Sequence, residues 1–237
     1  ALKLALKLTL KMKKIKKFTV LFALFIVPLL FYILLQLGTH NFGKLPIVSK
    51  DVIDISLIDK TISFDKRVTV VTFLGNDISL VKGEVYNLKE KIYTKFSNYV
   101  SFQMISLVDK NQKQAVEDLK KMLGVNTDLS RWNFVFTSSE EMEALHESLK
   151  TGTSLDENGH SPKAYIIDKE LNLRRGKSTI KSLENQHLFG YNMRSVAELK
   201  NDMIDDISVV LVEYKMALKK NNSSEDRRTN SISNEKK

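Results

Sequence analysis

The chain has 237 residues, 43% of them hydrophobic and 27% charged, a composition typical of folded proteins. It contains no cysteine, which excludes disulfide staples, thiolate metal sites, cysteine nucleophiles and thiol redox chemistry. The net charge of +9 belongs to the two ends: residues 1–17 hold seven lysines and no acid, and residues 219–237 hold six basic residues against three acids. The stretch between them has 24 basic and 25 acidic residues, so nothing in it favours a nucleic-acid partner.

Residues 18–37 read FTVLFALFIVPLLFYILLQL, an uncharged run that is long enough to cross a membrane. At about 1.5 Å per residue, such a helix spans roughly the 30 Å of a bilayer's hydrocarbon core. Lysines crowd residues 13–17 before the run, whereas Lys44 and Lys50 are the only nearby positive residues after it. The positive-inside rule therefore predicts a single-pass anchor in a bacterial inner membrane, with residues 1–17 cytoplasmic and the C-terminal domain periplasmic. The alternative is a cleaved signal peptide, but the run exceeds a usual h-region and no clean small-x-small cleavage site follows it.

The two ends of the chain are set aside from the fold prediction. Residues 1–11 repeat a four-residue unit and are followed by Met12, which reads as a natural start, so they represent upstream translation or an added leader. Alternatively, lysines four residues apart in this stretch form a basic helix face suited to an anionic membrane surface. Residues 219–237 are rich in Lys, Asn, Ser, Glu and Arg, which predicts a disordered polar tail.

Between a tether over residues 38–50 and the tail, apolar runs and amphipathic stretches alternate over residues 51–218. The patterns predict strands at 67–74, 102–108, 132–136, 164–168 and 171–175, and helices at 83–96, 112–123, 138–149 and 195–218. The first strand is almost continuously apolar, as a strand covered on both faces should be. This order of elements predicts an α/β, three-layer, thioredoxin-like domain with parallel central strands and an antiparallel pair at one side.

His160 is the candidate site residue that stands out, in the turn-rich segment Asp-Glu-Asn-Gly-His-Ser-Pro. One interpretation makes it a metal ligand or a proton-transfer residue, since the pKa of histidine is tunable near neutrality. The other makes it a histidine hydrogen-bonded within its own loop. The following Ser161–Pro162 bond is either cis, as often found before a strand in thioredoxin-like folds, or an ordinary trans bond at a strand entry.

Other residues give weaker signals. Met142 and His146 are four apart on a predicted helix and share a face, which suits Cu(I) ligation or a core methionine beside a surface histidine. The acidic neighbours Asp205 and Asp206 are expected to point in different directions rather than to pair for acid-base work. No phosphate loop, GxSxG elbow, HExxH or dinucleotide glycine pattern occurs, so the sequence favours no enzyme class.

Four short segments in this order resemble a known family. They are TFLG at 72–75, RWNFVF at 131–136, GHS at 159–161 leading into AYIID at 164–168, and FGY at 189–191 before a long helix. Over residues 45–218 the pattern is similar to that of the membrane-anchored Sco/SenC proteins, thioredoxin-fold factors implicated in copper delivery during cytochrome oxidase assembly. The resemblance implies an extracytoplasmic role in the assembly of a respiratory complex.

The resemblance also implies a copper site that this chain lacks the sulfur to build. In the family, two cysteines in a C-x-x-x-C loop after the first core strand join a downstream histidine, to which His160 corresponds. Here the loop spans residues 76–81 and has no sulfur, and one imidazole does not hold Cu(I) selectively, because Cu(I) prefers thiolate. We therefore expect a divergent, non-catalytic member without cofactor, which contacts a protein partner in a respiratory or envelope complex. The alternative is a metal carrier that combines His160 with methionine or carboxylate ligands.

Overall fold

The computed structural model describes residues 19–33, 44–65 and 67–216, and the chain divides into two compact units, 1–42 and 43–237. In the first unit, helix α1 covers residues 19–33, and its side chains are largely exposed. Within these described ranges, no helix combines the length and the hydropathy needed to cross a membrane. The predicted anchor, residues 18–37, extends beyond the described part of α1. The predictions for 1–17 and 219–237 also lie outside the described residues.

In the second unit, the described residues form one seven-stranded mixed sheet with the order β1-β6-β5-β2-β3-β4, and β7 pairs with β5. The strands are β1 (Ile47–Ser49), β2 (Val68–Gly75), β3 (Phe102–Asp109), β4 (Trp132–Thr137), β5 (His160–Ile167), β6 (Leu173–Arg174) and β7 (Tyr191–Asn192). Strands β2, β3 and β4 are parallel, with β4 at the edge of the sheet. Strand β5 runs antiparallel to β2 and forms a hairpin with β6, so the predicted antiparallel pair at one side of the sheet is confirmed.

Four helices pack on this sheet. They are α2 (Ile78–Leu88, continuing through a π-turn at Lys89–Tyr93 into Thr94–Phe96), α3 (Lys113–Leu123), α4 (Ser139–Ser148) and α5, which begins at Val196–Glu198 and runs through a π-turn at Leu199–Met203 to residue 216. Helix α4 begins with the predicted capping box, in which Ser138 and Glu141 bond each other's backbone N–H groups. The Ser138 N–H bond to the Glu141 carboxylate, together with one from the Thr137 hydroxyl, lowers the pKa of Glu141 to about 2.

The core lies on both faces of the sheet because successive side chains of a strand point in opposite directions. On β2, Val68 and Val70 pack with α2, α3 and α5, whereas Val71 and Phe73 pack with α4 and the segment 52–64. All eight residues of β2 are buried, as its continuous apolar run predicts. The predicted α/β thioredoxin-like architecture, with helices on the two faces of a central sheet, is confirmed.

The largest differences from the predicted elements are the starts of α2 and β5 and two short strands, β1 and β7, that were not predicted. Helix α2 begins at Ile78, not at 83, because Asp77 caps it and its first turn buries Ile78 and Val81. Strand β5 begins at His160, not at 164, since His160 pairs with Leu74 of β2. The end of the predicted tether is strand β1, which gains backbone partners by pairing with β6 at the edge of the sheet.

Candidate functional site

The candidate site lies where the end of β2, the start of β5 and helix α2 meet. Gly75 ends β2 and Gly159 precedes β5, both at φ +72°. A Cβ at Gly75 would lie 2.2 Å from the carbonyl oxygen of Asn158, so only glycine allows the two backbones to approach this closely. The Asn76 N–H donates to that same carbonyl oxygen at 2.9 Å. This approach seats His160 beside the first turns of α2.

The His160 side chain is buried and lies between two carboxylates, one near each ring nitrogen. Its Nε2 lies 2.8 Å from Oε2 of Glu84, and its Nδ1 lies 3.4 Å from Oδ2 of Asp156. The backbone N–H of His160 also donates to Oδ1 of Asp156 at 2.8 Å. On the Asp156 side, His160 is therefore held within its own loop, as one of the two interpretations expected. On the other side, its partner is Glu84 of helix α2.

Glu84 is the buried partner that links His160 to the surface. Its residue is only 5% exposed, and its second oxygen accepts a bond of 2.5 Å from Nε of Arg194. Arg194 is held in position because Asn87 of α2 donates to the backbone carbonyl of the preceding Met193 at 3.1 Å. Its own side chain is 66% exposed. The three side chains therefore form a chain of contacts from the buried imidazole to solvent.

Charge compensation keeps both carboxylates beside His160 ionised. Burial by itself raises the pKa of Glu84, but the hydrogen bonds and charges of His160 and Arg194 lower it further, so the pKa lies below its usual value. Burial likewise raises the pKa of Asp156, and backbone N–H bonds from His160 and Asn158 outweigh that effect. The imidazole is thus clamped between two anionic groups that fix its orientation.

This arrangement does not match a copper site. The two carboxylates approach His160 from opposite ring nitrogens, so they do not point at one shared position. Among the described residues, no group of three or more His, Asp and Glu side chains is placed to hold a metal ion. The loop that corresponds to the family's cysteine segment is largely the first turn of α2, and its Leu80 is 69% exposed to solvent. The donors present here are oxygen and a single imidazole, which do not suit Cu(I).

The second histidine, His146, is buried rather than at the surface, which corrects one of the two expectations for it. It lies in the core beside Met142, with its Nε2 3.3 Å from the hydroxyl of Tyr165 and its ring edge-on to Phe73 at 5.0 Å. Burial lowers the pKa of His146 and favours the neutral ring. The Tyr165 hydroxyl also lies 3.2 Å from the Ser161 hydroxyl. The described residues contain no cis peptide, so the Ser161–Pro162 bond is trans.

A larger charged cluster escaped the sequence analysis. The buried Arg175 lies within 3.4 Å of three carboxylates of α5, those of Glu198, Asp202 and Asp206. These acids are four residues apart and lie on one helix face, a spacing that could have revealed them. Asp205 is exposed while Asp206 is buried, which confirms that the two neighbours point in different directions.

Glu84 was missed although a signal for it was present. It stands three residues after Val81 and four before Leu88, both buried, so it lies on the apolar face of α2. A carboxylate on such a face requires a buried partner, because an unpaired buried charge is strongly unfavourable. The sequence does not show which partner, since His160 is 76 residues away and Arg194 is 110 residues away along the chain.

We predict that Glu84→Gln reduces the fall in the free energy of unfolding as the pH is lowered into the acid range. The pKa of Glu84 is lower in the folded state than in the unfolded state. The stabilisation by this carboxylate is therefore complete above its unfolded pKa, and it is lost as the pH falls through the folded pKa. Denaturant melts between about pH 6 and pH 3 should show a smaller decline for Glu84→Gln than for the wild type. An equally steep decline in both would contradict this assignment, and Glu90→Gln, an exposed change on the same helix, serves as the control.

No family model matches the chain, and no curated protein matches it in sequence. Solved structures are similar to it. BsSco, described as a member of the Sco family of cytochrome c oxidase assembly proteins, is 14% identical with a TM-score of 0.46, over 71% of this chain and 95% of that chain. A SCO1/SenC family lipoprotein from Bacillus anthracis is 13% identical with a TM-score of 0.45, over 71% and 98%. The soluble domain of Sco1 from Bacillus subtilis is 15% identical with a TM-score of 0.40, over 76% and 99%.

Proposed function

We propose that this protein is a cysteine-free, Sco/SenC-like domain that acts by protein contact in the assembly or maintenance of a respiratory or envelope complex. In this proposal residues 18–37 anchor it in a bacterial inner membrane and the domain lies in the periplasm. The observation that carries the contact role is the engagement of His160 by Glu84 and Asp156. The one residue that matches a family copper ligand is already bonded on both sides, so the site is built to be stable rather than to exchange a metal.

The surface above this site has the character of a contact surface. A cleft of about 450 Å³ lies over α2 and is lined by Leu80, Gly83, Glu84, Tyr86, Asn87 and Arg194. Leu80 is 69% exposed and Tyr86 is 49% exposed. Large exposed apolar side chains beside a concave polar patch are typical of protein-binding surfaces. The assembly role itself rests on the sequence resemblance over residues 45–218 and on its membrane-anchored plan.

We predict that Leu80→Asp lowers the yield of the partner complex without unfolding the domain. Because Leu80 is 69% exposed, the change removes an apolar contact at no cost to the core. The matched control is Val125→Asp, at a position 63% exposed after helix α3.

The yield of respiratory and envelope complexes would be measured on native gels of membranes from cells that carry each variant. A photo-crosslinking residue at position 80 should also capture a component of the affected complex, and one at position 125 should not. Equal yields for the two variants, or equal capture at the two positions, would contradict the contact role.

The alternative function, a metal carrier centred on His160, makes the opposite prediction for copper. We expect the full chain to surrender Cu(I) to a Cu(I)-specific chelator, since imidazole and carboxylate compete poorly with such a chelator. His160→Ala should change the apparent affinity little, as should His187→Ala, a change at an exposed histidine. Stoichiometric copper that resists the chelator, disappears in His160→Ala and persists in His187→Ala would overturn the proposal in favour of the carrier.

A further inference from the structure

Gly83 lies in the middle of helix α2, where neither its φ nor its neighbours within the domain require a glycine. Glycine in a helix interior is destabilising relative to alanine, because its backbone loses more conformational freedom on folding. In many proteins such a glycine relieves a clash or adopts a positive φ, but a Cβ at Gly83 would meet no atom within 4 Å and its φ is not positive. The glycine instead leaves a bare stretch of helix backbone at the floor of the cleft. Such a floor suits the close approach of another chain.

At the rim of this cleft, the guanidinium of Arg194 has N–H groups that are not engaged in hydrogen bonds within the described residues. Nε of Arg194 is bonded to Glu84, and the terminal nitrogens of Arg194 have no hydrogen-bond partner among the described residues. Its side chain is 66% exposed, and the bond to Glu84 and the neighbouring Asn87–Met193 bond fix where it stands. An arginine preorganised in this way loses little entropy when it binds a carboxylate through its remaining N–H groups.

The charge of Arg194 suits an anionic occupant of the cleft. Lys89, whose Nζ lies 5.7 Å from the centre of the Tyr86 ring, is paired with Glu90 at 2.8 Å and adds no unpaired cation. The ends of this chain do not fit the cleft, because residues 1–17 carry seven lysines and no acid and residues 219–237 carry six basic residues against three acids. Like charges disfavour their approach to Arg194. The occupant is therefore expected to come from another protein.

We propose that the cleft over α2 binds an acidic segment of a partner protein, in which an Asp or Glu carboxylate pairs with Arg194 and a neighbouring apolar side chain packs on Leu80 and Tyr86. The backbone of the segment lies over Gly83. This deepens the proposed function, on which it rests, by naming the chemistry of the partner. A second copy of the chain and a free C-terminal carboxylate are the other occupants that the test distinguishes.

The test is a selection of short random peptides, displayed on phage as internal segments without a free C-terminus, against the full chain in detergent. Selected peptides should be enriched in Asp or Glu next to a large apolar residue. A synthetic peptide of the selected sequence should lose at least about tenfold in affinity when its acid is replaced by the amide, and also when the protein carries Arg194→Gln. Gly83→Leu should block binding while the fold is retained.

Matched variants separate binding from folding. Arg67→Gln changes an exposed arginine that lines a second cleft of about 450 Å³, and it should leave peptide affinity unchanged. Gly83→Ala should raise the melting temperature by about 2–4 °C, since it improves helix propensity, and yet weaken peptide binding. Gain in stability with loss of binding is the signature expected if the glycine serves a partner.

Several outcomes would overturn the proposal. These are selected peptides without acidic enrichment, affinity that Arg194→Gln does not change, binding that requires a free C-terminal carboxylate, and self-association that Gly83→Leu abolishes in sedimentation. If Leu80→Asp still lowers complex yield while the peptides show no acidic preference, the acidic-partner inference fails and the contact function stands. If the peptides bind as expected and Leu80→Asp leaves complex yield unchanged, the assembly role fails instead.

Discussion

Replacing Arg175 with alanine is expected to lower the free energy of unfolding by about 3–5 kcal/mol, the usual loss when one partner of a buried ionic cluster is removed. The guanidinium is surrounded by Glu198, Asp202 and Asp206 at 3.3–3.4 Å and lies 4.0 Å from the centre of the Tyr191 ring. Without it, three acids of α5 face a buried site with no cation. Denaturant melts of the wild type and Arg175→Ala measure the loss.

The pH dependence of this loss identifies its cause. Unpaired buried carboxylates have a raised pKa, so the variant is relatively more stable at pH values at which they bind protons. The deficit should therefore shrink below about pH 5. Lys177→Ala, a change at an exposed cation two residues further along, should have little effect at any pH. A deficit under about 1 kcal/mol, or one that does not change with pH, would argue against the electrostatic role.

Trp132→Ala is expected to cost about 3–5 kcal/mol, the range found when a buried aromatic residue is truncated. Trp132 opens strand β4 and is 3% exposed. Its ring stacks on Phe134 at 5.5 Å and contacts Tyr93 at 5.2 Å. Its Nε1–H donates to the hydroxyl of Ser106 at 2.9 Å, as a buried indole requires a partner.

A conservative variant separates the two contributions of this side chain. Trp132→Phe keeps a ring in the core and removes the N–H donor, so it should cost about 1–3 kcal/mol. Because Trp132 is the only tryptophan of the chain, unfolding of these variants would be followed by far-ultraviolet circular dichroism. A loss below about 1 kcal/mol for Trp132→Ala would contradict its role in the core.

The fold class of the domain and most of its elements follow from local patterns in the sequence. Hydrophobic periodicity is a local property, and it located β2, β3 and β4 and the helices between them to within a few residues at most ends. Helix capping could also be predicted from local sequence, as the Ser138–Glu141 capping box shows. The absence of cysteine excluded thiol chemistry without reference to any structure.

The surroundings of His160, in contrast, depend on how distant segments pack together. Its partner Glu84 is 76 residues away, and Arg194, which bonds Glu84, is 110 residues from that carboxylate. No local pattern encodes such separations. The cluster around Arg175 arises in the same way, because a loop residue meets one face of a distant helix. The sequence gives the order of the side chains, and its periodicity predicts the face of a helix or strand on which each side chain lies. The meeting of those faces depends on the packing of the whole sheet, and that packing places the candidate metal ligand His160 against the buried Glu84, beneath an exposed cleft.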